Sequence, residues 1–148
     1  MPQHPDAGRV ELTDWATTGS AIRAIRETVF IHEQGVPVEL EWDGLDLSCA
    51  HVLAWNDRGE AIGTARMQQN GTIGRMAVLK DWRGRGVGRA LLQTLLELAT
   101  RQGLARVTLS AQTHALGFYE RAGFHVVGKP FMDAGIPHRK MVKELTVP

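Results

Sequence analysis

The chain is poor in cysteine and in aromatic side chains. Cys49 stands alone, so no internal disulfide can form and a zinc site built from paired cysteines is excluded. Aromatic residues make up 6% of the sequence, with one tyrosine, Tyr119. The tryptophans Trp15, Trp42, Trp55 and Trp82 read as packing residues rather than as a stacking surface for bases. No apolar run approaches the roughly 20 residues that a membrane span needs. Met1 to Asp6 has no apolar centre, so no secretory signal is expected and a cytoplasmic location is. The net charge of +1 leaves no general excess of positive charge for nucleic acid. Carboxylates alternate from Glu39 to Asp46, but the glycine and the terminal glutamate of a calcium loop are missing, so no metal is expected. That segment reads instead as an acidic rim for a cationic substrate, or as helix-capping charge. Gly-Lys followed by Ser or Thr, the signature of one common phosphate loop, does not occur.

What remains describes one ordinary domain across residues 1–148, with 43% hydrophobic and 22% charged residues. A domain of this size buries roughly 70% of the surface its unfolded chain exposes, so no covalent staple is required. The first eight residues carry two prolines and a glycine and are expected to be loose.

The most informative stretch is Arg83-Gly84-Arg85-Gly86-Val87-Gly88-Arg89-Ala90. A strand-like run, Thr72 to Leu79, precedes it, and an apolar helical pattern follows to Gln102, where Gly103 ends it. Glycines between a strand and a helix let the main chain approach a ligand closely. The first N–H groups of the helix lack partners inside it and point at an anion. Arginines add charge and planar donors. A phosphate-bearing ligand is the sharp reading, and a simple turn with a solvated basic face is the plain one. The glycine spacing is not G-x-G-x-x-G, and no carboxylate lies near Leu104 to Arg106, so a dinucleotide site is disfavoured.

The remaining elements follow from patterning. Val10-Glu11-Leu12 reads as a strand. Thr18 to Gln34 reads as a helix capped by Thr18 or Ser20, with Ala21, Ile22, Ile25, Val29 and Phe30 as its apolar stripe. Ala50–Trp55 and Ala61–Met67 read as a hairpin over Asn56 to Gly59, and Asn70-Gly71 leads into the Thr72 strand. Later come a strand at Arg106–Ser110, a short helix at Thr113–Ala122, and strands near Phe124–Lys129 and Lys140–Leu145. Gly35–Ser48 and Pro130–Arg139 read as loops. The order predicts an α/β (α+β) domain: a mixed, mostly antiparallel central sheet of about six to seven strands with helices on both faces. Its right-handed crossover runs from Thr72 to Ser110.

Arg83-Gly84-Arg85-Gly86-Val87-Gly88 fits R-x-x-G-x-G/A and resembles the pyrophosphate loop of the Gcn5-related N-acetyltransferase (GNAT) family. Ala115-Leu116-Gly117-Phe118-Tyr119 through Gly123-Phe124 is similar to that family's A-x-x-F-Y-x-x-x-G-F segment, in the expected order. Phe30 to Pro37, Glu41-Trp42-Asp43, Asp46 and Gly135-Ile136-Pro137-His138 resemble its ElaA-like or YjcF-like branch. The resemblance spans about Glu11 to Leu145. It implies a transferase that moves an acetyl group from acetyl-CoA to a primary amine of a small molecule or protein.

The resemblance also implies roles. Amides from Arg85, Gly86, Val87, Gly88, Arg89 and Ala90, with Gly84, would hold the diphosphate, and Arg83 and Arg89 would add charge. Met76, Ala77 and Val78 would pair through their main chain with the pantetheine arm. Tyr119, beside Phe118, would give a proton to the leaving thiolate. Gln112 stands where the family often has asparagine. The family's strand glutamate is absent, since Thr72 occupies its place and no carboxylate follows before Leu79. Candidate bases are Glu33, Glu41, Asp43, Asp46, His51, His114 and His138. Of these, Glu33 ends the first helix and His138 has a suitable intrinsic pKa. Arg75, Glu33 and Asp43 are candidate acceptor-binding residues. A non-catalytic acyl-CoA sensor of the same fold is the alternative function, and a homodimer is plausible for the fold.

Overall fold

The computed structural model describes residues 3–4 and 8–145. Most of the expected loose tail lies outside these residues; of its described members, Gln3–His4 form a short strand β1 paired with the next strand, which Gly8 opens. The full strands are β2 (Gly8–Thr13), β3 (Ala50–Trp55), β4 (Ala61–Met67), β5 (Thr72–Val78), β6 (Arg106–Gln112), β7 (His125–Asp133) and β8 (Ile136–Glu144). They lie in the order β1-β2-β3-β4-β5-β6-β8-β7, antiparallel throughout except where β5 runs parallel to β6. This is the mixed, mostly antiparallel sheet that the alternation of elements predicts.

Helices α1 (Trp15–Arg26), α2 (Val38–Glu41), α3 (Val87–Arg101) and α4 (Leu116–Arg121) accompany the sheet. Two apolar clusters divide the interior. One gathers Leu91, Leu92 and Leu95 of α3 with Ile62, Ile73, Val107 and Met141 of the sheet. The other packs Ile22, Ile25, Val29 and Phe30 against Leu53 and Ala77. The apolar stripe at helical spacing therefore does what its period implies.

Three expectations are corrected. The first helix begins at Trp15, because Asp14 caps it: its carboxylate accepts from the Thr17 N–H at 2.7 Å. Thr18 is a kink (φ −124°, ψ 15°), its hydroxyl donating back to the Asp14 carbonyl. Beyond Arg26 the coil widens into a π-helical segment, Glu27–Glu33. The segment from Pro130 to Arg139 is not a loop but the middle of the β7–β8 hairpin. Its two-residue turn sets Ala134 and Gly135 at φ 51° and 76°, which suits the twist of paired strands. Pro130 sits in a bulge on β7, an edge strand, where a missing N–H is tolerated.

Candidate active site

The parallel pair β5 and β6 is in register only at Thr72↔Thr108 and Ile73↔Leu109. Beyond those residues the strands part, and a cleft of about 1100 Å³ opens between them. Its walls come from β5, the loop before α3, the end of β6, α4, the π-helical segment and the tip of the β7–β8 hairpin.

Beta pairing alternates its main-chain groups between the two sides of a strand. The Leu79 N–H reaches the Ile62 carbonyl of β4 at 2.9 Å. Val78 therefore turns its groups toward the cleft, and Met76 follows by alternation. A bulge falls here: β4 pairs Thr64 with Ala77 and Arg66 with Gly74, so Arg75 and Met76 together face one β4 residue. Arg75 takes φ 50° to make it. Arg75 then reaches α2, while Met76 packs with the α3 cluster.

Below the cleft, Gly84 and Gly86 take φ 76° and 84°, and α3 starts at Val87 with no side chain capping it. The amides of Val87, Gly88 and Arg89 are among those a helix cannot satisfy internally. Gly88 packs closely: an added Cβ would lie 3.3 Å from Phe118 Cζ, so that ring would have to shift slightly. Uncapped amides, left-handed glycines and a strand edge that β6 leaves unpaired in one cleft form a set that fits a diphosphate with an amide-bearing arm.

Arg83 and Glu33 are brought together, which the separate roles read for them do not anticipate. Two parallel bonds of 2.6 and 2.7 Å join the guanidinium to the carboxylate, and Arg83 Nε donates to the Val78 carbonyl at 2.9 Å. The hydrogen bond from Arg83 holds Glu33 below its ordinary pKa. Arg85 lies over the Trp82 ring at 4.9 Å, and Arg89 lines the cleft exposed.

Tyr119 reaches the cleft with its hydroxyl directed at Met76 Sδ, 3.7 Å away. Phe118 and Phe124 meet its ring edge-on. Burial pushes its pKa up to about 12. Across the mouth, Gln112 Nε2 donates to Gln34 Oε1 at 2.9 Å and so bridges β6 to the end of the π-helical segment.

The acidic stretch differs most from its reading as a rim. Glu41 and Asp46 are buried, while Asp43 stays exposed but turns its carboxylate onto Arg66 and Arg75. Arg26 binds Glu41 at 2.7 Å and Asp46 at 2.6 Å. Arg66 binds Asp43 and Asp46, and Arg75 binds Asp43 and the carbonyls of Leu40 and Glu41. The hydrogen bond from Arg66 lowers the Asp43 pKa to about 2. Burial raises Glu41 despite its arginine partners. For Asp46, burial opposes the charged form, but Arg26 and Arg66 together bring it below its ordinary value. Arg26 and Arg66, the centres of this network, carry no local motif, and only the surplus of carboxylates hints that cations must meet them. His51, behind the network, gives its Nε2 to the Asp46 carbonyl and does not line the cleft. Among the described residues, no cluster of His, Cys, Asp or Glu could hold a metal, and no helix is long and apolar enough to cross a membrane.

Known proteins share this arrangement. Residues 20–145 match the family model described as an acetyltransferase (GNAT) domain. The chain is 38% identical over 124 residues to the uncharacterized N-acetyltransferase YjcF of Bacillus subtilis, covering 81% of this chain and 88% of that one. The crystal structure of Escherichia coli ElaA superposes with a TM-score of 0.83 at 30% identity, covering 92% of this chain and 99% of that one. An acyl-CoA N-acyltransferase from Pseudomonas aeruginosa gives a TM-score of 0.81 at 32% identity, covering 91% and 98%. A split sheet with a glycine-led helix at its root, matched in sequence over most of its length, makes this chain a member of the GNAT acetyltransferase family.

Proposed function

We propose that the protein transfers an acetyl group from acetyl-CoA to a primary amine. One observation carries this: the cleft-facing edge of β5 at Met76 and Val78 lies next to the uncapped start of α3. Gly84, Gly86, Val87, Gly88 and Arg89 would hold the diphosphate, and Met76 to Val78 the arm that follows it; the Ala90 N–H already donates to the Gly86 carbonyl. Bound there, acetyl-CoA supplies an acyl carbon activated by its thioester.

The chain's own groups supply the rest. An N–H at Met76 or its neighbour would donate to the thioester oxygen, where negative charge grows as the amine adds. Tyr119 carries its proton at neutral pH, where an ordinary phenol does and burial only reinforces it, so a hydroxyl proton is present for the departing sulfur. Phe118, Phe124 and Met76 hold its ring and hydroxyl in place. Arg83 with Glu33, and Gln112 with Gln34, fasten the π-helical segment over the cleft. Arg75 and Asp43 shape the acceptor side by holding α2.

The test is thermal unfolding with and without acetyl-CoA. Binding to the native state alone must raise Tm, and no shift at saturating concentration removes the reading. A second reading, an acyl-CoA sensor without turnover, draws on the absence of a carboxylate from Thr72 to Val78. Thiol release with a panel of primary amines separates the two.

A further inference from the structure

The geometry points to His138 as the general base of the proposed amine acylation, an assignment that rests on the acetyltransferase reading above. His138 stands on β8, paired in register with Gln112 of β6 on one side and Phe131 of β7 on the other. It lines the same cleft as Tyr119. The Phe131 ring stacks on the imidazole, with centroids 5.8 Å apart and planes 24° from parallel.

The tautomer is settled by chemistry. Nδ1 lies 2.7 Å from the carbonyl oxygen of Ile136. A carbonyl oxygen can only accept, so Nδ1 carries the hydrogen. In the neutral ring Nε2 is then a bare lone pair, and it has no hydrogen-bond partner among the described residues. A base held in one orientation, with its lone pair free, in the same cleft as a proton donor, is what amine activation needs.

The other titratable groups facing the cleft are less suited. Glu33 is held as an anion by both Arg83 nitrogens. Glu41 is buried against Arg26. Asp133 is exposed at the hairpin tip. His114, also exposed, is engaged through Nε2 with Gln112 Oε1 at 2.7 Å, so that nitrogen is already taken by the amide that bridges to Gln34. Tyr119 is kept for the sulfur.

The protons balance. His138 Nε2 takes one proton from the acceptor's ammonium and releases it to solvent. The freed nitrogen bonds to the acetyl carbon, and His138 takes the second proton as that bond forms. The carbon–sulfur bond breaks with its electron pair on sulfur, and sulfur receives the Tyr119 proton. Tyr119 regains a proton from His138 through water. One proton ends on sulfur and one in solvent.

The experiment compares wild type with His138→Gln, using acetyl-CoA and the best primary amine from the panel. The expected variant keeps the wild-type Tm shift with acetyl-CoA and loses roughly 10²- to 10⁴-fold in kcat. It also loses the rising limb of the kcat/KM pH profile, and added imidazole restores part of the rate. An activity within a few-fold of wild type, or a limb that survives, overturns the assignment. If His138→Gln fails to fold, ¹⁵N shifts of the wild-type imidazole decide. A neutral ring protonated at Nδ1 at pH 8 is expected, and one protonated at Nε2 overturns it. If wild type shows no Tm shift and no thiol release with any amine, the acetyltransferase reading itself has failed and the base assignment goes with it.

Discussion

Two regions concentrate ionisable or polar potential, and they use it in opposite ways. In the segment from Glu39 to Asp46, three of the carboxylates meet Arg26, Arg66 and Arg75, and the charge turns inward. In the loop from Gly84 to Ala90, the donors are main-chain amides at the start of α3, and none is capped by a side chain. A dense charge pattern reports a functional surface only if its partners are missing. Here the conspicuous acidic run is structural, and the main chain that carries no charge is the part left open.

Replacing Arg26 by Met tests the inward half most severely. It strands Glu41 and Asp46 in the interior, and an unfolding titration should show a loss of about 3–5 kcal/mol. A loss below about 1 kcal/mol would mean that the network contributes little. Gly86→Glu tests the open half. It adds bulk and negative charge at a residue with φ 84°, so acetyl-CoA should no longer shift Tm. In wild type, ligand at 100 times its Kd stabilises by about 2.7 kcal/mol, which for a chain of this size is about 5–11 °C. An undiminished shift in the variant would move the diphosphate elsewhere.

Tyr119→Phe removes one hydroxyl and should leave that shift intact while kcat falls about 10²-fold. Full activity would strike out the proton donor. The smallest effect is expected from pH. Asp43 has a pKa near 2 when folded, against an ordinary 3.8. A depressed carboxylate pKa contributes stability above its unfolded value and loses it as pH falls through 3.8 toward 2. Solvent screening keeps this below about 1 kcal/mol. Asp43→Asn should flatten the stability curve in that window, and an unchanged slope would remove Arg66 as the cause.

The two regions also differ in how far they could be read beforehand. The glycine loop and its helix are contiguous, so spacing alone shows a glycine-led helix start, while the diphosphate there is what the family resemblance implies. The order of the elements likewise predicts the sheet and its parallel crossover. The arginine network joins positions 15 or more apart, such as Arg26 with Glu41 and Arg66 with Asp43, and no local pattern encodes it. The pairing of Arg83 with Glu33 crosses 50 positions and ties together two residues that each suggest a separate role. The β7–β8 hairpin was hidden by Pro130 and Pro137, which resemble loop punctuation until the edge position and the bulge are known. The start of the first helix depended on Asp14 outcompeting Thr18 as a cap.

The brevity of the β5–β6 junction has a mechanical consequence. Two register positions join the β6-β8-β7 leaf to the rest of the sheet, while Val107, Leu109, Ala111 and Met141 of that leaf share one apolar cluster with Ile73 and α3. The two walls of the cleft are thus held together by side-chain packing rather than by strand pairing, which is how the sheet can stay parted there without coming apart.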